Sequence, residues 1–155
     1  MPVLIRRQRV DVPVEFFVFS LQDADDTEVP VPFPDGWPGT EAGFLVQFEG
    51  RVDVSSAGHT HVALLTAEVW DSEPPEERRE PWETCGDTRI RSGSGSLAVW
   101  VPGGATTDEL TLGVPGDLWH LRVYCTGRTE VARAAARGVP HGIERYLAQF
   151  WPAVV

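Results

Sequence analysis

Three stretches of this chain carry residue types that can do chemistry. The first is His59-Thr60-His61, with Glu68 further on and His120 much later. Two histidines one residue apart at the start of a strand share a face. With a third imidazole and a carboxylate from neighbouring strands they would make the nitrogen and oxygen donor set of a transition-metal site. Against this, His61 and Glu68 are seven apart, so an uninterrupted strand turns them to opposite faces. The expected reading is turn and surface histidines, with no metal and no other cofactor.

The second is a pair of acidic segments. Asp23, Asp25, Asp26 and Glu28 resemble a fragment of a calcium loop, but the turn glycine and the distal bidentate glutamate are missing. Asp71, Glu73, Glu76, Glu77, Glu80 and Glu83 are set among Trp70, Trp82, Pro74, Pro75 and Pro81. Together with Asp35 and Trp37 of the earlier loop, this second group supplies the candidate partner-binding residues. Asp35, Asp71, Glu73, Glu76, Glu77, Glu80 and Glu83 would pair with Arg or Lys of a partner, and Trp37 and Trp82 would be desolvated anchors. The plainer alternative is a solvated loop that keeps a Trp-rich protein in solution. The third is the set of nucleophiles. Ser55, Ser56, Ser92, Ser94 and Ser96 sit in turns without a nucleophile-elbow context, and Cys85 has no histidine near it in sequence, so no catalytic residue is expected.

Charge decides which partners are reasonable. The net charge is −10, and residues 21–87 hold sixteen of the 23 carboxylates against three arginines. Such a field disfavours DNA or RNA and favours a basic protein, whose approach it can accelerate by about tenfold or more. Residues 1–5 are followed at once by Arg6, Arg7 and Arg9, which is no export signal, and no segment is apolar enough to span a membrane. A cytoplasmic protein is expected, with Cys85 and Cys125 as buried thiols and no bridge.

These residues must be held by strands. The clearest runs from 116 to 127: Trp119, Leu121, Val123 and Cys125 alternate with His120, Arg122, Tyr124 and Thr126, so one face is dry and the other wetter. It needs a neighbour on each edge and a second layer over its apolar face. Residues 10–21, 44–54, 61–70, 88–91, 96–101, 109–112 and 142–151 read as further strands, the 109–112 segment pairing beside the clearest one. In residues 44–54, Phe44, Val46, Phe48, Gly50, Val52 and Val54 face in, while Arg51 and Asp53 face out. Thr129 can cap a helix running to Arg137, which Gly138 ends. The count of about eight strands and one short helix near the C-terminus predicts an all-β, two-layer antiparallel sandwich over residues 1–155.

Two resemblances bear on function. His59, His61, Glu68 and then Pro115-Gly116 ahead of His120 resemble the metal motif of the cupins, although the glutamate comes late and the glycine spacing before His59 differs. More of the chain is similar to the ComJ-like family of small sandwiches, which inhibit a nuclease involved in DNA uptake. The similarity lies in Phe16-Phe17-Val18-Phe19, Asp35-Gly36-Trp37, the 44–54 strand, the acidic loop and Pro115-Gly116-Asp117-Leu118-Trp119-His120-Leu121-Arg122, and residues beyond 128 look like an addition to it. The resemblance implies an immunity-like inhibitor that neutralises a basic protein of the nuclease or toxin class. The alternatives are a cupin-like metal-dependent enzyme or a structural interaction module without catalysis.

Overall fold

The computed structural model describes residues 1–25, 43–115 and 117–153. Asp26, Glu28, Asp35, Trp37 and Gly116 lie outside them. Among the described residues ten strands and one helix follow in the order β1 (Leu4–Val14), β2 (Val18–Asp23), β3 (Leu45–Phe48), β4 (Arg51–Ser55), β5 (His61–Trp70), β6 (Thr84–Ser92), β7 (Ser96–Val101), β8 (Gly104–Thr111), β9 (Asp117–Thr126), α1 (Arg128–Ala135) and β10 (His141–Pro152). They form two five-stranded sheets, β1-β5-β10-β9-β6 and β3-β4-β2-β7-β8. This is the two-layer all-β sandwich that the alternation predicts. Every pairing is antiparallel except that of β10 with β5, which runs parallel.

The inward-facing residues of the two sheets meet in one core. Val12, Leu65, Ala148, Phe150, Leu121 and Ile90 of the first sheet pack against Phe19, Leu21, Val52, Val54, Leu97 and Leu110 of the second. The strand at 117–126 has its two neighbours, β10 and β6, and buries Trp119, Leu121, Val123 and Cys125 as its alternation requires. Among the described residues no helix is long and apolar enough to cross a membrane.

The strand count exceeds eight because two expected strands are hairpins. Residues 10–21 break at Phe16-Phe17, where both residues have positive φ, 51° and 65°. Left-handed backbone at both central positions of a two-residue loop is a type I′ turn, whose usual residues are Asn and Gly. Its cost for two phenylalanines is of order 1–2 kcal/mol each. Other contacts offset it: both rings pack edge-on against His59 at 5.1 and 5.0 Å, the Phe17 N–H donates to the His59 carbonyl, and the Ser56 N–H donates to the Phe17 carbonyl. Residues 44–54 break at Glu49-Gly50, with Gly50 left-handed. The apolar alternation of the sequence runs on through the turn and hides the break, but the two-residue turn reverses the facing: Val46 and Phe48 stand opposite Asp53 and Arg51, on the face away from Val52 and Val54.

Further departures have equally local causes. Arg51 and Asp53 do not face water: both are buried and joined by a bidentate ion pair at 2.7 and 2.8 Å. The 109–112 segment belongs to β8, which pairs with β7 in the other sheet and not with β9. Helix α1 is N-capped by Gly127, not Thr129, and ends at Ala135, short of Arg137. Gly127 is left-handed and so close to the Ile143 carbonyl that a Cβ would lie 2.1 Å from its oxygen. Cys85 is exposed and Cys125 buried; they belong to opposite faces of paired strands and both are free thiols.

Replacing Phe16-Phe17 by Asn-Gly should therefore stabilise the fold by about 1 kcal/mol, the relieved backbone strain outweighing two lost ring contacts. Urea unfolding would show it as a higher midpoint at unchanged slope.

Candidate functional site

Residues of the first sheet that point away from the core form a polar outer face, and the β5–β6 connection lies across it as a strap. Asp71 starts the strap: its carboxylate accepts the Val3 N–H at 2.7 Å and its own N–H donates to the Val3 carbonyl. Pro74, Pro75 and Pro81 deny the segment ladder hydrogen bonds, so it runs over the sheet without joining it. Its holds come from the wetter face of β9. The Glu77 N–H donates to the Tyr124 hydroxyl at 3.2 Å, Trp82 packs on the Tyr124 ring at 5.5 Å, and Thr126 donates to the Pro81 carbonyl at 3.3 Å. At the far end the Glu83 carboxylate accepts the N–H groups of Gly127 and Arg128, tying the strap to the start of α1.

Arginines of the sheet hold the strap electrostatically. Arg122 reaches Glu73 at 3.3 Å and Asp87 at 3.0 Å while stacking over Trp151. Arg145 meets Glu80 at 2.6 Å. Within the strap Glu77 pairs with Arg79 and Glu76 with Arg78, and these hydrogen bonds hold both carboxyls below their usual range. Between the strap and edge strand β6 lies a concavity of about 850 Å³, lined by the carboxylates of Glu73, Glu76, Glu77, Glu80, Glu83 and Asp87 against the guanidiniums of Arg78 and Arg122.

Of the partner-binding candidates, Glu73, Glu76, Glu77, Glu80, Trp82 and Glu83 thus line one groove. Asp71 stands at the N-terminal tie, and Asp35 and Trp37 lie outside the described residues. Trp82 is half-buried against the protein's own sheet, its indole N–H buried without an acceptor among the described residues. Sequence reasoning missed Asp87, Arg122, Tyr124 and Arg145. The polar side of the 116–127 alternation already displayed Arg122 and Tyr124; what it could not display was the strap above them.

The histidines of the metal reading are apart. His61 is buried with Ser56, His59 is exposed against Phe16 and Phe17, and His120 stacks on Trp151 at the outer face. Among the described residues no three His, Cys, Asp or Glu side chains form a group able to hold a metal. Asp23, of the calcium-like fragment, is buried and accepts hydrogen bonds from Ser92, Gly93 and Ser94 at the β6–β7 turn.

A second constellation was invisible in the sequence. Ser56, His61 and Glu144 meet in the interior, all three at most 5% exposed. The Ser56 hydroxyl donates to Glu144 Oε1 at 2.6 Å and lies 2.7 Å from His61 Nε2. With its one proton committed to Glu144, Ser56 can only accept from His61, so the imidazole is the Nε2–H tautomer, and its bare Nδ1 has no hydrogen-bond partner among the described residues. A nucleophilic triad needs the reverse, an imidazole taking the serine proton while the acid holds its other nitrogen. This cluster instead pins a corner. Glu144 also accepts from the Ala57 N–H at 3.0 Å and the Tyr146 hydroxyl, with Arg128 at 3.4 Å. Burial lowers the His61 pKa against the opposing pull of Glu144 and the Val62 backbone, and pushes the neighbouring Cys125 thiol up to about 12, where it is inert as a nucleophile.

The chain is thus a two-sheet sandwich with a strapped outer face. No protein-family model and no curated protein matches the sequence. Its fold is similar to that of ComJ, inhibitor of the DNA degrading activity of NucA, from Bacillus subtilis, with TM-score 0.62 and 10% identity over 99% of each chain. It is also similar to the product of crocagin biosynthetic gene J, with TM-score 0.65 and 14% identity over 96% of this chain and 98% of that one. Both likenesses extend over α1 and β10, which corrects the expectation that residues beyond 128 are an addition: β10 is the middle strand of its sheet.

Two measurements test the corner. Glu144→Ala leaves Ser56, Ala57 N–H and Arg128 without their shared acceptor, so it should cost about 3–5 kcal/mol in urea unfolding. His61 has a lower pKa folded than unfolded, so the unfolded chain binds the extra proton. Its contribution is complete above the unfolded value of 6.5 and is lost as pH falls from there towards the folded value. Stability measured across that window should fall more steeply for the native chain than for His61→Gln.

Proposed function

We propose that the chain is an acidic protein-binding module, an inhibitor or immunity-like partner of a basic protein of the nuclease or toxin class. The observation that carries this reading is the groove between the strap and β6, where six carboxylates face two guanidiniums around one concavity. A concave surface of one sign focuses its field and steers an opposite charge towards it, and it repels nucleic acid directly. The rigid seat of the strap adds to this: side chains already fixed by Arg122, Arg145 and Tyr124 lose little further entropy when a partner docks. The similarity to ComJ, an inhibitor of the DNA degrading activity of NucA, supports the nuclease class.

The carboxylates divide by role. Glu80 ties the strap to β10 through Arg145 and Glu77 pairs with Arg79 inside the strap, whereas Glu73 and Glu76, paired with Arg122 and Arg78, have exposed side chains, 66% and 65%. Those two are the positions at which a partner's arginines or lysines can replace weak surface pairs.

Native mass spectrometry of the tagged protein, drawn gently from its own host at low salt and again at high salt, tests the reading. The expected result is a basic protein that leaves as salt rises, whose nuclease or toxic activity falls when the chain is added back. Glu73→Arg with Glu76→Arg should slow association about tenfold and flatten its salt dependence. A partner indifferent to both salt and the double variant would remove the groove from the interface.

A further inference from the structure

On the β1 side of the strap lies a separate cavity of about 390 Å³. That is within the size range of small-molecule sites, about 300–1,000 Å³. The register sets its floor: Arg9 of β1 stands opposite Thr66 of β5, and Thr66 opposite Leu147 of β10. Leu64, one pleat along the same face, also lines the cavity and is 38% exposed. An uncovered leucine beside Leu147 gives the floor an apolar strip, and Trp82 lines the cavity from the strap.

The charges around the cavity do not balance. Glu68 is paired with Arg7 at 2.8 Å, Glu77 with Arg79 at 2.7 Å and Glu80 with Arg145 at 2.6 Å. Glu68 is saturated further by Trp70 and Gln149. Arg9 lines the same cavity and forms no hydrogen bond or ion pair among the described residues. The indole N–H of Trp82 is likewise without an acceptor. Arg9 is therefore the one cation of the lining without an anionic partner among the described residues, in a site whose carboxylates are each already paired with a guanidinium.

We propose that this cavity binds a small organic acid, a carboxylate carried on an apolar body. The Arg9 guanidinium would take the carboxylate in the two-pronged geometry the pair favours, and the hydrocarbon would lie on Leu64 and Leu147. One unpaired guanidinium matches a monoanion. A phosphate dianion would bring a second charge next to Glu68, Glu77 and Glu80. The site does not depend on the inhibitor reading, since none of Arg9, Leu64 and Leu147 lines the acidic groove.

Octanoate is the probe, titrated by calorimetry into the full chain and into Arg9→Ala and Leu64→Asp, each first shown folded by circular dichroism. Octan-1-ol and inorganic phosphate are the controls. Octanoate should bind saturably at one site, about tenfold or more weaker in Arg9→Ala, as expected for loss of a charged hydrogen-bond partner, and weaker again in Leu64→Asp. Both controls should bind at least about tenfold more weakly than octanoate, the alcohol lacking the charge and phosphate the apolar body. Absence of saturable octanoate binding, or equal binding by folded Arg9→Ala, overturns the assignment. So does an alcohol or a phosphate that binds as well as octanoate.

Discussion

A carboxylate sealed from water constrains how this sandwich closes. Glu144 is 0% exposed, and a charge there is tolerable only where donors converge on it. The donors come from distant parts of the chain: Ser56 and Ala57 where the second sheet hands over to the first, Tyr146 two residues along β10, and Arg128 at the start of α1. Each must be in place for the others to be satisfied. The β4–β5 corner, the helix and the middle strand are therefore set together. Arg128 reinforces the lock by donating also to the Ser55 carbonyl and lying over Phe44.

The outer face repeats the same physics with water present. Arg122 and Arg145 project from β9 and β10 because the strand period puts every second residue outward, and Glu73 and Glu80 of the strap meet them. Exposed ion pairs of this kind contribute little individually, about 0–1 kcal/mol. The Tyr124 contacts with Glu77 N–H and Trp82, half-buried or better, are the firmer attachment. Salt should thus weaken the strap's electrostatic ties without detaching it, and the groove can remain formed under conditions that weaken its attraction for a cation.

Much of the fold was legible because alternation reports burial directly. Residues 61–70, 96–101 and 117–126 are strands with the boundaries their patterns suggest. Failures occur where a local rule yields to a distant contact. Nothing about Phe16-Phe17 reads as a turn, since aromatic residues favour strands and the stabilising His59 lies some forty residues away. Arg51 and Asp53 read as solvent-facing because each is charged; their mutual pairing lets both be buried. The acidic loop showed its charge in composition alone. Which carboxylates hold the strap and which face outward depends on Arg122 and Arg145, and no spacing in the loop encodes that.

The first sheet consequently presents two chemically different surfaces from one set of strands. Towards β6 the strap's carboxylates outnumber the arginines, whereas towards β1 the alternation exposes Arg7 and Arg9 beside an apolar strip. The strap divides them, because Glu77 and Glu80 line both concavities while Arg79 and Arg145 neutralise them on the β1 side. A chain of net charge −10 can in this way keep a local site for an anion. The neutralising partners are within hydrogen-bond distance, whereas the excess carboxylates act across solvent in which charges are screened over about 8–10 Å. Local pairing, more than overall charge, therefore decides what each side of the strap can attract.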